Sequence, residues 1–273
     1  MMNIKIKETY SYNELPIVIG CPSHLNQMHN FDEINQILDG QLENLKKQQI
    51  ISSELGKITS TAIIINGQVV KLIAVGLSNL KEIKENDYQI VYGNLSRYLQ
   101  SNRIEEVHLL DDTFVSQNVS NQERAYRFGW LFTQATFVFD TYKSNKSANV
   151  NTVINYVTTT TEDVTTFINQ GEILGESVNL ARTYSQTPPN ILTPDYFANE
   201  IEQHFKDSQV NVTIKNEDEI REEGIGLLDA VGKGSINPPR LVVLEYKGST
   251  QDPIALVGKG VTYDSGGYQI KSK

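Results

Sequence analysis

The residues best suited to chemistry lie near the end of the chain, in the run Lys259-Gly-Val-Thr-Tyr-Asp264-Ser-Gly-Gly-Tyr-Gln-Ile-Lys271. Lysine ligates a metal only as the neutral amine, a form favoured by burial and by a neighbouring cation. Asp264 offers a hard oxygen donor able to bridge two divalent ions. Lys271 remains available as an ammonium that can stabilise a developing oxyanion. Gly260, Gly266 and Gly267 let the backbone turn tightly around a bound group. On spacing alone, the same run also reads as a glycine-rich strand-to-loop turn with solvent-facing lysines.

An internal control narrows the choice. Val-Gly-Lys-Gly occurs twice, but Val231-Gly-Lys233-Gly234 runs into Ser235-Ile-Asn-Pro-Pro with no acid, whereas Val257-Gly-Lys259-Gly260 leads to Asp264 and Gly266-Gly267. Only the second copy can supply a ligand pair. Neither matches a phosphate-binding loop, which needs Gly-Lys followed by Ser or Thr after an earlier glycine. A Gly-x-Ser-x-Gly nucleophile elbow is absent. His24, His29, His108 and His204 lack paired Cys or acidic ligands at metal spacing and read as structural. The single cysteine, Cys21, has no internal disulfide partner and reads as a small core hydrophobe in a reducing compartment.

The elements that must carry these residues follow from periodicity. Ile17–Ile19, Ala62–Ile65, Lys71–Val75 and Val107–Leu110 are short β-rich runs. Phe31, Ile34, Ile37, Leu38, Leu42 and Leu45 place one apolar stripe on a single helix, and Tyr88–Leu99 and Glu123–Phe139 look similar. This alternation favours a sheet covered by helices, an α/β fold. After a polar loop at 144–151, a strand at Thr152–Val157 leads to a helix whose apolar face runs from Val164 to Ala181 and which stops before Pro188-Pro189. Thr193 is placed to cap the next helix, with Pro194 at its first position. Strands are expected at Val210–Ile214, Leu241–Tyr246 and Ile254–Val257, and a helix near Glu217–Glu223. The last two strands read as nearly continuous apolar runs, suited to burial on both faces, with Lys259 delivered to the carboxyl edge of the sheet.

Composition sets outer bounds. A chain of 273 residues, 39% hydrophobic and 21% charged, is long enough for two globular domains. A net charge of −9 argues against general nucleic-acid binding, which rests on Lys and Arg neutralising phosphates. The N-terminus lacks the apolar core of a secretory signal, and no later run is long and apolar enough to span a bilayer, so no membrane association and a cytoplasmic location are expected.

The terminal run, taken with what precedes it, resembles the leucyl aminopeptidase (cytosol aminopeptidase) family of two-metal exopeptidases. Three stretches occur in the family's order: Asn179-Leu-Ala-Arg182 with Pro188-Pro189-Asn190-Ile-Leu-Thr193-Pro194; Gly226 to Ser235 followed by Pro238-Pro239-Arg240 to Tyr246; and Val257 to Lys271. The resemblance implies a macro-domain-like α/β N-terminal domain at residues 1–150, a linker strand and helix at 151–185, and the first part of an α/β catalytic domain at 186–273. By position it makes Lys259 and Asp264 metal ligands, with Asp264 bridging, and Lys271 the catalytic lysine. It implies two divalent ions, manganese or zinc, that hold a peptide's free amine and polarise a bridging water, while Lys271 stabilises the oxyanion and an N-terminal amino acid leaves. It also implies a homohexamer.

Two departures are local: Gln186-Thr187 stands where the family usually has Asn before the residue preceding proline, and Thr183 replaces a common Asp. A larger one is that the family's further carboxylate ligands, in an Asn-Thr-Asp-Ala-Glu-Gly-Arg motif, lie beyond position 271. The chain therefore reads as truncated at its C-terminus, with an unpaired apolar strand edge and an incomplete site. The expectation is an aminopeptidase lineage with no appreciable activity in this chain, the alternative being a non-catalytic binding or assembly subunit.

Overall fold

Alternate residues along a strand face opposite sides of a sheet, and here both sets are apolar. Val18, Ile73, Val75, Leu109 and Ile154 join one buried cluster, while Ile17, Ile19, Leu72, Ala74 and Leu110 join another. A sheet of this kind needs helices on both faces. The computed structural model, which describes residues 3–9, 15–146 and 150–263, supplies them. The chain divides into two compact units, Met1–Ala181 and Arg182–Lys273.

The first unit is built on β1 (Asn3–Lys7), β2 (Ile17–Pro22), β3 (Ile58–Ile65), β4 (Gln68–Ser78), β5 (Glu106–Leu110) and β6 (Val153–Val157). They form one six-stranded sheet in the order β1-β6-β5-β2-β4-β3. Every neighbouring pair is parallel except β3–β4. That exception is a hairpin turning at Asn66 (φ 51°) and Gly67 (φ 79°), the left-handed pair that a two-residue hairpin turn requires. On one face, α3 (Asp87–Ser101), α4 (Asn121–Ala135) and α5 (Val164–Gln186) contribute Tyr92, Phe128 and Ile168 to the first cluster. On the other, α1 (Phe31–Ile37) and α2 (Gln41–Lys47) contribute Ile34 and Leu42 to the second.

Several expectations are corrected in detail. The single helix over Phe31–Leu45 is two, because Asp39 (φ 55°) and Gly40 (φ 69°) take left-handed conformations between them. Leu38 and Leu42 stay fully buried across the break, so the apolar stripe survives a change of axis. The helix expected to reach Phe139 ends at Ala135, where Thr136 caps it and its Oγ1 donates to the Thr133 carbonyl at 2.7 Å. Asn3–Lys7, for which no strand is expected above, is an edge strand; Lys5 and Lys7 suit an edge, where charge discourages further pairing. The strand and helix expected over 151–185 are present as β6, an interior strand between β1 and β5, and α5.

The second unit holds α6 (Pro194–Phe205), β7 (Val210–Lys215), α7 (Glu217–Glu222), α8 (Gly226–Gly232) and β8 (Leu241–Tyr246). Thr193 caps α6 as expected, its side chain accepting from the Tyr196 amide at 3.3 Å with Pro194 following. Asn216 and Glu219 close a reciprocal capping box on α7. β7 and β8 pair antiparallel from Val210↔Tyr246 to Lys215↔Leu241.

The expected strand at Ile254–Val257 does not form. Residues 252–263 adopt neither helix nor strand, and Leu256 and Val257 are 95% and 98% exposed. Nor is β8 buried on both faces, since Val243 and Leu244 are both exposed. An apolar run becomes a strand only against an edge that accepts its hydrogen bonds and a layer that covers its side chains. Among the described residues this unit offers a two-stranded sheet and no second layer over those positions.

Candidate active site

Lys259 sits on the irregular stretch 252–263 with its side chain exposed. The expected delivery by a strand to a sheet edge is thus corrected, because the strand that would do it does not form. Asp264 and Lys271, expected above as a second donor and a catalytic lysine, lie outside the described residues.

One flank of the stretch is placed by α6. A Cβ added at Gly260 would stand 3.7 Å from Phe197 Cε1, an ordinary contact, so the backbone runs past that ring. Phe197 packs on Tyr184 with centroids 4.9 Å apart and planes at 51°. Burial, then the negative charge of Glu200, pushes the Tyr184 phenol up, which keeps it a neutral hydrogen-bonding group.

The two Val-Gly-Lys-Gly copies differ in structure as well as in sequel. Val231 and Gly232 end α8, and the Lys233 amide donates to the Asp229 carbonyl at 2.8 Å. Gly232 faces the ring of Pro239 so closely that a Cβ would lie 2.6 Å from it. The first copy is therefore a helix terminus fitted against Pro239, while the second is irregular and exposed.

Arg240 is the organising residue that periodicity and spacing did not single out. Its Nε donates to Asp195 Oδ1 at 3.1 Å, and its Nη1 donates to Glu217 Oε2 at 2.7 Å and to the Pro239 carbonyl at 3.0 Å. One guanidinium thus ties the first turns of α6 and α7 to the start of β8. The Glu217 carboxyl is held below its ordinary range, first by a hydrogen bond from its own amide and then by Arg240.

A metal does not fit the described residues. Among them, no group of three or more His, Cys, Asp and Glu side chains could hold an ion. Lys259 and Asp264 together amount to one amine and one carboxylate, whereas each ion needs about four to six donors. The histidines do not fill the gap. His108 is buried in β5, where burial and then the Lys7 charge hold its imidazole low, and His204 packs edge-on against Phe205 at 4.9 Å.

A concave feature opens at the carboxyl ends of β5 and β6 in the first unit, about 200 Å³ in volume. Its lining includes Glu8, Glu33, Ile34, Asp112, Val157 and Thr159. Asp112 is already engaged, accepting from Thr158 Oγ1 at 3.0 Å and from the Thr159 amide at 3.1 Å.

Comparison with known proteins accounts for both units. The N-terminal domain model of the cytosol aminopeptidase family matches residues 18–146, and that family's catalytic domain model matches residues 179–273. A tomato leucine aminopeptidase mutant superposes with a TM-score of 0.76 at 19% identity, over 98% of this chain and 56% of that one. The bottromycin maturation enzyme BotP superposes with a TM-score of 0.66 at 18% identity, over 84% of this chain and 46% of that one. Its complex with Mn gives 0.68 at 18%, over 85% and 45%. The chain thus spans about half the length of these structures, and at these identities the likeness is one of fold. With both domain models matched in chain order, the chain belongs to the cytosol aminopeptidase family.

Proposed function

We propose that this chain carries the N-terminal domain and the opening of the active site of a metal-dependent aminopeptidase that releases N-terminal residues such as leucine from peptides in the cytoplasm. The observation that carries the reading is the run Lys259 to Lys271, which falls inside the segment matched by the family's catalytic domain. In a completed site Lys259 and Asp264 serve as ligands, Asp264 in the bridging place, and Lys271 acts at the scissile carbonyl. Manganese or zinc would supply Lewis-acid chemistry there. The completed protein is a homohexamer in this reading.

The chain by itself supplies too few donors to hold two ions, so it does not turn over substrate alone. Hydrolysis of leucine p-nitroanilide by the purified chain, with manganese or zinc added, tests this. Metal-dependent turnover abolished by Lys259→Ala would overturn the predicted inactivity.

A second reading, a non-catalytic binding or assembly subunit, is favoured by the lack of a metal-holding cluster among the described residues. A defined oligomer in solution with no metal uptake would support it over the first.

A further inference from the structure

The two edges of the first unit's sheet differ in charge. β1 carries Lys5 and Lys7 at one edge, whereas β3 at the other runs from Ile58 to Ile65 with no charged residue. Charge guards an edge, whose unpaired amides and carbonyls otherwise template pairing with another chain. At the hairpin end of β3 the Gln41 side chain takes that role, donating to the Ile64 carbonyl at 2.8 Å and accepting from the Ile64 amide at 3.5 Å. The Ile64 backbone groups therefore point away from β4, and by alternation so do those of Ala62, Ser60 and Ile58. Among the described residues, the Ser60 amide and carbonyl and the Ala62 amide have no hydrogen-bond partner, and the Ala62 carbonyl takes only a long 3.4 Å bond from the neighbouring Thr61 hydroxyl. Ser60 and Ala62 are exposed, and beyond them Ile64 and its cross-strand partner Val69 are 58% and 70% exposed.

We propose that the edge of β3 pairs with the same edge of a second copy of this chain, antiparallel about a two-fold axis through Thr61. In that register Ser60 lies opposite Ala62 of the second copy, and Ala62 opposite its Ser60. Each such pair exchanges both N–H···O bonds, while Thr61 meets Thr61 on the axis. The contact is isologous and closes on itself.

The edge is its own complement. Ile58, Ser60, Ala62 and Ile64 share one face of the sheet, and read against its reverse this row sets Ile64 opposite Ile58 at both ends and small residues at the centre. Ile58 is half-buried on the main cluster, so the exposed Ile64 gains an apolar neighbour. Nowhere along the row does a charge meet a like charge. An unrelated extended peptide is the weaker occupant, because strand addition takes its specificity from pockets for alternate side chains, and Ser60, Thr61 and Ala62 are too small to wall one. Gln41 confines the shared ladder to the Ser60 and Ala62 pairs. So short a contact falls below the roughly 1,200 Å² at which stable interfaces begin, and the dimer is weak and concentration-dependent. The inference rests on the first unit and is independent of the aminopeptidase reading.

Sedimentation equilibrium of the full chain, from about 1 μM to about 1 mM, tests it. A reversible monomer–dimer equilibrium is expected. Thr61→Lys and Thr61→Glu each set like charges against one another across the axis and should each weaken dimerisation about fivefold or more. An equimolar mixture of the two variant chains should pair at least as tightly as the unmodified chain. Gln41→Ala should tighten the dimer several-fold, because it releases the Ile64 backbone to extend the ladder toward Ile58. In the unmodified chain, the Ser60 and Ala62 amides should exchange several-fold more slowly at the high concentration than at the low, with those of β5 unchanged. Trp130 fluorescence establishes that each variant folds.

A chain that stays monomeric across this range would overturn the proposal. So would self-association indifferent to both Thr61 substitutions, or a mixture of the two variant chains no tighter than either alone. Exchange at Ser60 and Ala62 that is independent of concentration would do the same without any substitution.

Discussion

Arg124 and Asp111 meet through two parallel hydrogen bonds, Nε to Oδ1 at 3.0 Å and Nη2 to Oδ2 at 2.5 Å, with both side chains wholly buried. The pair joins α4 to the carboxyl end of β5, and the nearby Tyr92 and Tyr156 phenols are pushed well up, by burial first and then by the Asp111 charge. Removing one member strands the other without water. Asp111→Ala should therefore destabilise the first unit by about 3 to 5 kcal/mol, while the volume-matched pair Asp111→Leu with Arg124→Met recovers most of the loss. Urea titration followed by the fluorescence of Trp130, the only tryptophan and one packed against the same cluster, reads both. A single mutant as damaged as the double would contradict the account.

Helices α4 and α5 approach until backbone meets backbone. A Cβ at Gly171 would lie 2.0 Å from the Tyr126 carbonyl oxygen, and one at Gly129 would lie 2.2 Å from that of Ile168. Gly171→Ala should cost about 1 to 3 kcal/mol, because the helices must part. Gly93→Ala on α3 is the counterpart: its nearest neighbour would be the flexible end of Arg97 at 3.6 Å. There, helix propensity should stabilise by up to about 1 kcal/mol. Opposite signs for the same substitution in paired thermal melts are the expected result.

What the sequence revealed follows the range of the interactions involved. The β-rich runs Ile17–Ile19 and Lys71–Val75, the Thr193-Pro194 cap and the Pro188-Pro189 stop are local, and the structure has them where expected. The break after Ile37 was hidden because the apolar stripe continues through Leu38 and Leu42 while Asp39 and Gly40 turn. Ile254–Val257 has the composition of a strand, but whether an edge exists to receive it is decided elsewhere in the fold. Lys259 was legible by residue type and spacing, but its surroundings are not local. Arg240 was legible only as an arginine after two prolines, since its carboxylate partners lie 45 and 23 residues away.

His108 gives unit stability a pH dependence of known sign. Burial, reinforced by the Lys7 charge and opposed by Glu106, holds the folded imidazole below its ordinary value of 6.5. The unfolded chain therefore binds a proton first. The neutral side chain is no burden above that value, and stability falls as pH drops from about 6.5 through the lower folded value. Urea titrations between pH 8 and pH 5 should show this loss, and His108→Val, which suits a buried strand position, should flatten the curve in that window. An equal slope in the variant would assign the loss to other groups.

Arg240 should govern the second unit alone. Asp195 is exposed and Glu217 partly so, so solvent screens each pair and neither taken singly contributes much. What distinguishes the residue is that one planar guanidinium reaches two helix starts and the Pro239 carbonyl at once, a geometry that the point charge of lysine does not reproduce. Arg240→Lys should therefore behave much like Arg240→Ala. Hydrogen exchange should quicken by a few-fold in α7 and β8 for both variants, while the amides of β2 and β5 stay unchanged. Rescue by lysine would reduce the role of Arg240 to its charge, and unaltered exchange in β8 would remove it as the tie between that strand and the two helices.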